Sequence, residues 1–482
     1  MRIKLFFICI TIIITSIFNP LFSHKRALYN VIIDTDGGLD DFRAVSLFLA
    51  SRDFNINAIT SVDGVLEPYQ TSYYLELLIK EYHHEGIPIG KGQSFKASKK
   101  YRDHALPIWE KVFGKAEDKK FFDAVELMNF TLSNSKRPNI IIALGPLSNI
   151  EELIRKYPQS AQKIEMILWY ANYEDNKVSG FNYEENRKAF EFLLNNHAPI
   201  KIIHNLDYKY DDNFFELCSE INSPYANMFV KFFKDSKYTL NYWDELTVLY
   251  LLYPSVFDEK ISPNHLRDVK PKPGNFLDVL VTTILNSDKP DQGIVFNEIP
   301  TSGPMVTNDI NVFAEQILKT YGYAEFKIVA ITSEFHSHMG IYSILGAKTG
   351  LRIMEYLHIG LDEIEIISMA GLNPPISCFN DGLQVGTGST LGYGTILVDT
   401  VEEYFPSAIV KYKGRTIKFS IKQEITQNIR KDVGELISKY GLESELYWKN
   451  LRQISIEKYW LKVNRYEMLD IEDLTDYNIY KR

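Results

Sequence analysis

Cysteine is scarce in this chain: three in 482 residues, at positions 9, 218 and 378. Cys9 lies in an apolar amino-terminal run, and Cys218 and Cys378 fall in different predicted domains, so a disulfide framework is excluded. Positive charge is also short. Lys and Arg number 53 against 62 Asp and Glu, a formal charge of −9, which argues against nucleic acid as a partner because such binding needs a basic footprint. Beyond the first twenty residues there is no apolar run long enough to cross a bilayer. The one candidate, Leu5 to Phe18, follows Arg2 and Lys4 and is stopped by Asn19-Pro20. A charged start and so short a run fit a secretory signal, taken as residues 1–23, rather than a membrane span. Export to a periplasmic or extracellular space is therefore expected. The sequence Leu-Phe-Ser23 lacks the small-x-small pattern of a cleavage site, so anchoring by an uncleaved signal is the alternative.

What the chain does have is length for two domains and many aromatics, 30 Tyr and 29 Phe. Short apolar runs recur at Asn30–Ile33, Asn55–Ser61, Asn139–Leu144, Ile164–Tyr170 and Pro199–Ile203, with helical patterns between them. That alternation predicts an α/β fold, a mostly parallel sheet with flanking helices. A helix is expected over Trp243–Tyr253, and a closing helix over Ile310–Tyr321. Residues 285–310 read as loops. A second, smaller α+β unit then opens with a predicted strand at Phe326–Ile331. It contains a hairpin turning at Lys413-Gly414, and the last fifty residues read as helical. The domains expected are 30–322, 325–425 and a helical extension over 426–482.

The chemistry concentrates in VIIDTDGGLDD. Asp34, Asp36, Asp40 and Asp41 lie within eight residues, directly after a predicted strand. Ionised carboxylates so close together repel unless they share a cation. The carboxyl ends of strands are where open α/β sheets hold ligands. All-oxygen, flexible, multidentate ligands suit Ca²⁺ better than strictly octahedral Mg²⁺. A calcium site is expected here.

DTDGGLDD resembles the DTDPGxDD signature of the inosine-uridine-preferring nucleoside hydrolases, with Gly37 in place of the proline. IIIALGPLSNI at 140–150 is similar to that family's ALGPLTNI, and NYWDELTVLYLLYPSVF at 241–257 to its HDPLAVAYLLDP. The resemblance implies an α/β fold, one Ca²⁺ and hydrolysis of the N-glycosidic bond of ribonucleosides or related ribosyl compounds. It implies Asp36 as general base and metal ligand, with Asp41, Asp244 and the backbone carbonyl of Leu144 as further ligands. Asp40 matches the carboxylate that holds a ribose hydroxyl, and Asn182 lies in a segment similar to the family's ribose-binding AEFNxxxDPEAA. Asp34 is expected to orient the cluster from the strand end. A homo-oligomer is implied by the resemblance alone.

Three positions depart from the family pattern. Gly180 stands where the family has a ribose-binding Glu, and Val65 where an Asn follows the glycine. Trp243 replaces the histidine assigned as acid for the leaving base. Loss of a general acid costs on the order of 10²–10⁴ in rate, whereas an indole can stack on the base instead. Two readings follow, a hydrolase of ribosyl compounds and a nucleoside- or sugar-binding protein that keeps the calcium site without turnover.

The second unit resembles the FmdE family over 325–425. His336 and His338, two apart on an expected extended segment, would face one way. Cys378 and Asp381 would complete a second metal set suited to Zn²⁺ or another transition metal, with Glu334 as proton donor or further ligand. The glycine-rich loop Thr387–Gly394 is a candidate anion cradle. A third reading places the active chemistry in this half.

Overall fold

Val31, Ile32 and Ile33 are all buried, yet they enter two different cores. Val31 and Ile33 pack with Phe42, Leu47 and Leu249, whereas Ile32 packs with Leu127, Leu153 and Trp169. Ile140 and Ile142 against Ile141 and Ala143 repeat the split on a second strand. Side chains alternate across a strand, so a run that is apolar throughout requires a sheet covered on both faces. The computed structural model has that form. It describes residues 27–476, apart from 96, 99–100, 205–207, 212, 234–240, 263–265, 275, 287–294, 296–297, 361–363 and 401–403. The expected signal over 1–23 lies outside the described residues. No described helix is long and apolar enough to cross a membrane.

In chain order the strands are β1 (Tyr29–Thr35), β2 (Phe54–Ser61), β3 (Ile89–Lys91), β4 (Phe122–Asp123), β5 (Asn139–Ala143), β6 (Ile164–Tyr170), β7 (Asn172–Glu174), β8 (Lys177–Ser179), β9 (Ile200–Ile203), β10 (Phe257–Ile261) and β11 (Arg267–Pro271). Those of the second unit are β12 (Glu365–Ser368), β13 (Ile396–Val398), β14 (Ser407–Tyr412), β15 (Arg415–Ile421) and β16 (Leu469–Asp473). Nine of them form one sheet in the order β10-β11-β9-β6-β5-β1-β2-β3-β4, in which only the β10–β11 pairing is antiparallel. Helices cover both faces, so the expected α/β architecture is present. The order reverses at β1, which leads to β2 on one side and pairs with β5 on the other. A crevice opens at such a reversal, beyond the carboxyl ends of the strands, and Asp34 to Asp41 lie there.

The second unit holds the five-stranded sheet β13-β12-β14-β15-β16. Its β14–β15 hairpin turns at Lys413-Gly414, as the sequence predicts. Two expectations need correction. Phe326–Ile331 is not a strand but part of the helix Asn308–Phe335, which is interrupted at Gly322. The helix expected over Ile310–Tyr321 is present within it, and its Ile310, Ala314, Ile317 and Tyr321 pack with Ile344, Ile456 and Trp460 of the second unit. The last residues are not purely helical. After the helices Gln423–Tyr440 and Glu445–Ile454 the chain ends its described part in β16, paired to β15.

The second unit docks on the amino-terminal side of the large sheet. Lys413 Nζ donates to Asn30 Oδ1 at 2.7 Å and Asn57 Oδ1 at 2.6 Å, at or near the beginnings of β1 and β2. Arg352 Nη1 donates to the His83 carbonyl at 2.6 Å, and Gly86 N–H to the Tyr356 carbonyl at 2.9 Å. The acidic crevice lies at the other end of these strands.

Candidate active site

Each carboxylate of the cluster is positioned by its own element. Asp34 is buried one residue before the end of β1, where Thr60 Oγ1 and Asn149 Nδ2 donate to its Oδ1 at 2.7 and 2.8 Å. Asn149 thus orients Asp34 as Asp34 was expected to orient the cluster. Asp36 sits in the turn, with Gly38 N–H donating to Oδ1 at 3.2 Å. Gly64 presses against it, since a Cβ there would stand 2.2 Å from Asp36 Oδ2. Asp40 and Asp41 occupy the first turn of the helix Leu39–Ala50, where carboxylates are favoured by the helix dipole. Asp41 Oδ1 accepts from Thr35 Oγ1 at 2.5 Å and from Asp36 N–H at 3.0 Å.

Asp244 comes from a segment two hundred positions away and is 1% exposed. It precedes the helix Glu245–Leu252, which is shorter than the predicted Trp243–Tyr253. Ligand atoms of Asp40, Asp41 and Asp244 lie within 4.8 Å of one another, the one such group of acidic, His or Cys side chains among the described residues. Asp36 is adjacent rather than part of it: a Cβ on Gly38 would lie 2.6, 2.7 and 3.6 Å from oxygens of Asp41, Asp40 and Asp36. Asp40, expected to hold sugar, is thereby drawn in with the ligand candidates.

The electrostatics are severe. Burial, with the Asp41 and Asp40 charges, raises Asp36 and Asp244 well above the carboxylate range. Burial and Asp41 push Asp40 up to about 7, and burial pushes Asp34 up to about 7. Neither oxygen of Asp244 meets a hydrogen-bond donor, and Asp34 Oδ2 and Asp36 Oδ2 are likewise buried without one. Unsatisfied buried carboxylate oxygens converging from separate segments match the needs of a hard divalent cation.

The rest of the rim follows the sequence less closely. Asn182 Nδ2 donates to the Leu144 carbonyl at 2.9 Å and to the Tyr170 carbonyl at 3.2 Å. The proposed sugar ligand and the proposed backbone ligand are therefore bonded to each other. Gly180 has φ +99°, which favours glycine over the family's Glu. Val65 is buried, and its carbonyl accepts from Arg102 Nε at 3.0 Å. Trp243 is 37% exposed. Sequence reasoning missed Arg43 and Glu245, a buried ion pair beside the cluster. The signal was available: Glu245 stands where the family segment HDPLAV has proline.

In the second unit, His336 caps the helix Asn308–Phe335 and Ser337 has φ +62°, so the expected extended His-x-His segment is a helix end instead. The two ring centres still lie 4.3 Å apart, with the planes tilted by 37°. His336 Nδ1 lies 2.6 Å from Asp381 Oδ2, and Asp381 and then Cys378 raise its pKa to about 9. Burial and His336 lower His338. The other three predicted residues are thus neighbours of His336, without the four forming a mutual 4.8 Å set.

Residues 31–318 match the model of the inosine-uridine preferring nucleoside hydrolases. This chain belongs to that family. Residues 335–461 of the chain match a second family model, FmdE of the molybdenum formylmethanofuran dehydrogenase operon. The pyrimidine-specific ribonucleoside hydrolase RihA of Escherichia coli is 26% identical over 259 residues, 47% of this chain and 80% of the relative. An inosine-uridine preferring nucleoside hydrolase from Bacillus anthracis superposes with a TM-score of 0.44 at 14% identity, covering 54% of this chain and 99% of that one. A purine-preferring ribonucleoside hydrolase from Gardnerella vaginalis gives 0.43 at 18%, covering 54% and 98%.

Proposed function

We propose that the amino-terminal unit is a Ca²⁺-dependent hydrolase of N-glycosidic bonds in ribonucleosides or related ribosyl compounds. The convergence of Asp40, Asp41 and Asp244, with the Asp244 oxygens lacking donors, carries this reading. Asp36, Asp41 and Asp244 would hold the ion, with the Leu144 carbonyl once Asn182 releases it. When bound, the cation would lower the pKa of a coordinated water and offset part of the cluster's charge. Asp36 then accepts the proton of the attacking water as general base. Asp40, partly exposed at the mouth, holds ribose hydroxyls, and Asn182 follows when its amide is freed. Trp243 offers an indole face for the leaving base. An oxocarbenium-like transition state gains from the surrounding carboxylate charge.

The test is a nucleoside panel with Ca²⁺ titration on the full chain. Release of free base is expected, lost in Asp36→Asn by on the order of 10² or more and abolished by chelation. No product from any nucleoside with Ca²⁺ bound rejects turnover. Trp243 in place of an acid and φ +99° at Gly180 favour a second reading, a nucleoside- or sugar-binding protein retaining the calcium site. Tight nucleoside binding without product supports that reading. For the second unit, His336 and Cys378 suit Zn²⁺ or another transition metal, and elemental analysis of the purified chain checks it.

A further inference from the structure

Two segments supply the acidic cluster, and each carries one charged residue that the proposed reaction does not use. Arg43 follows Asp40 and Asp41 on the helix Leu39–Ala50, and Glu245 follows Asp244. Arg43 Nε donates to Glu245 Oε1, and Arg43 Nη2 donates to the Asn241 carbonyl at 3.0 Å. The two side chains are 5% and 0% exposed. Glu245 is fully engaged. Its Oε1 also accepts from the Tyr210 hydroxyl at 2.9 Å, and its Oε2 accepts from the Trp243 backbone N–H at 3.0 Å. The guanidinium lies against Phe233 and Tyr210, 5.2 and 5.6 Å from the ring centres.

Stability alone does not call for such a pair, because apolar residues of the same volume serve a buried position as well or better. What the pair supplies is register. A planar fork that grips both a side chain and a carbonyl of residues 241–245 fixes that segment in distance and in orientation, which a lysine's point charge does not. Asp244 and Trp243 ride on this segment, and Asp40 and Asp41 ride on the helix that carries the fork.

We propose that Arg43 and Glu245 are positioning residues, a buried clamp that sets the cation affinity of the site through Asp41 and Asp244 and the presentation of Trp243 at the mouth. Neither touches substrate. The cation readout rests on the function proposed above, whereas the Trp243 readout does not.

The full chain is compared with Arg43→Lys, Glu245→Gln, Arg43→Met and the double variant Arg43→Met/Glu245→Gln, each checked for folding by circular dichroism. Calorimetry gives Ca²⁺ affinity. Acrylamide quenching gives access to Trp243, with Trp243→Phe subtracting the other four tryptophans. Glu245→Gln and Arg43→Lys, which keep the volume, are expected to weaken Ca²⁺ binding about tenfold, as loss of a partner behind a ligand does, and to increase quenching. The double variant is expected to cost no more than the worse single one. Parent-like affinity and quenching in the folded variants overturn the clamp. If the parent itself binds no Ca²⁺, the proposed function fails and quenching alone decides: an increase supports the clamp, and no change rejects it. Should Arg43→Met unfold by leaving Glu245 unpaired, the two volume-keeping variants carry the test.

Discussion

Gly37 is the residue at which the first motif leaves its family pattern, and the backbone explains the exchange. Its φ is +82°, its N–H donates to Thr35 Oγ1 at 3.2 Å, and its carbonyl accepts from Trp109 Nε1 at 3.0 Å. Proline fixes φ near −65° and has no N–H. Restoring the family residue by Gly37→Pro is therefore expected to destabilise the chain by more than about 1 kcal/mol and to weaken Ca²⁺ binding. Urea unfolding with and without Ca²⁺ measures both, and an unchanged midpoint would refute the argument. Much of the site was legible at this scale, because four aspartates in eight residues leave few chemical options. What sequence could not convey was partnership across distance. Arg43 and Glu245 are 202 positions apart, and nothing local says that the Asn182 amide meets the Leu144 carbonyl.

Among the elements, the five predicted strands of the large sheet were readable because an all-apolar run between helical patterns has few other homes. Phe326–Ile331 misled for the same reason. A short, largely apolar run such as Phe-Lys-Ile-Val-Ala-Ile does not by itself distinguish a buried strand from a helix. Here Phe326 and Val329, three apart, face Trp460 and Ile344, so residues far along the chain select the helix. β16 was hidden differently: its Leu-Asp-Ile-Glu-Asp has the charge of a surface helix, and only pairing with β15 makes it a strand. Within the helix Asn308–Phe335, Gly322 has φ +78°, and an added Cβ would meet nothing within 4 Å. With ψ at 171° this is a backbone conformation that is essentially confined to glycine, so Gly322→Ala should cost that strain alone, about 1–3 kcal/mol, read as a lower urea midpoint. A midpoint equal to the parent's would show that the break tolerates a side chain.

For the molecule as a whole, the contact between units holds two histidines. His84 Nδ1 meets the Glu355 carbonyl at 2.6 Å and its Nε2 the Tyr225 hydroxyl at 2.6 Å, while His358 Nε2 meets the Leu49 carbonyl at 2.7 Å. Their rings stand 4.6 Å apart. Burial lowers both below the ordinary 6.5, and His358, Arg352 and His83 lower His84 further. Arg52 also bears on His358. Both are therefore neutral in the folded chain, and below pH 6.5 the unfolded chain binds more protons. Stability from this contact is full above pH 6.5 and declines as pH falls. Melting temperature is expected to drop between pH 7 and pH 5, and less steeply in His84→Gln. An equal slope in that variant would remove His84 from the account.

The second unit docks toward the starts of β1 and β2, and the acidic crevice lies at their other ends. The length of a strand, seven residues in β1 and eight in β2, therefore stands between them. Fusion in this chain fixes a one-to-one ratio between that crevice and the unit held at the far end of its strands.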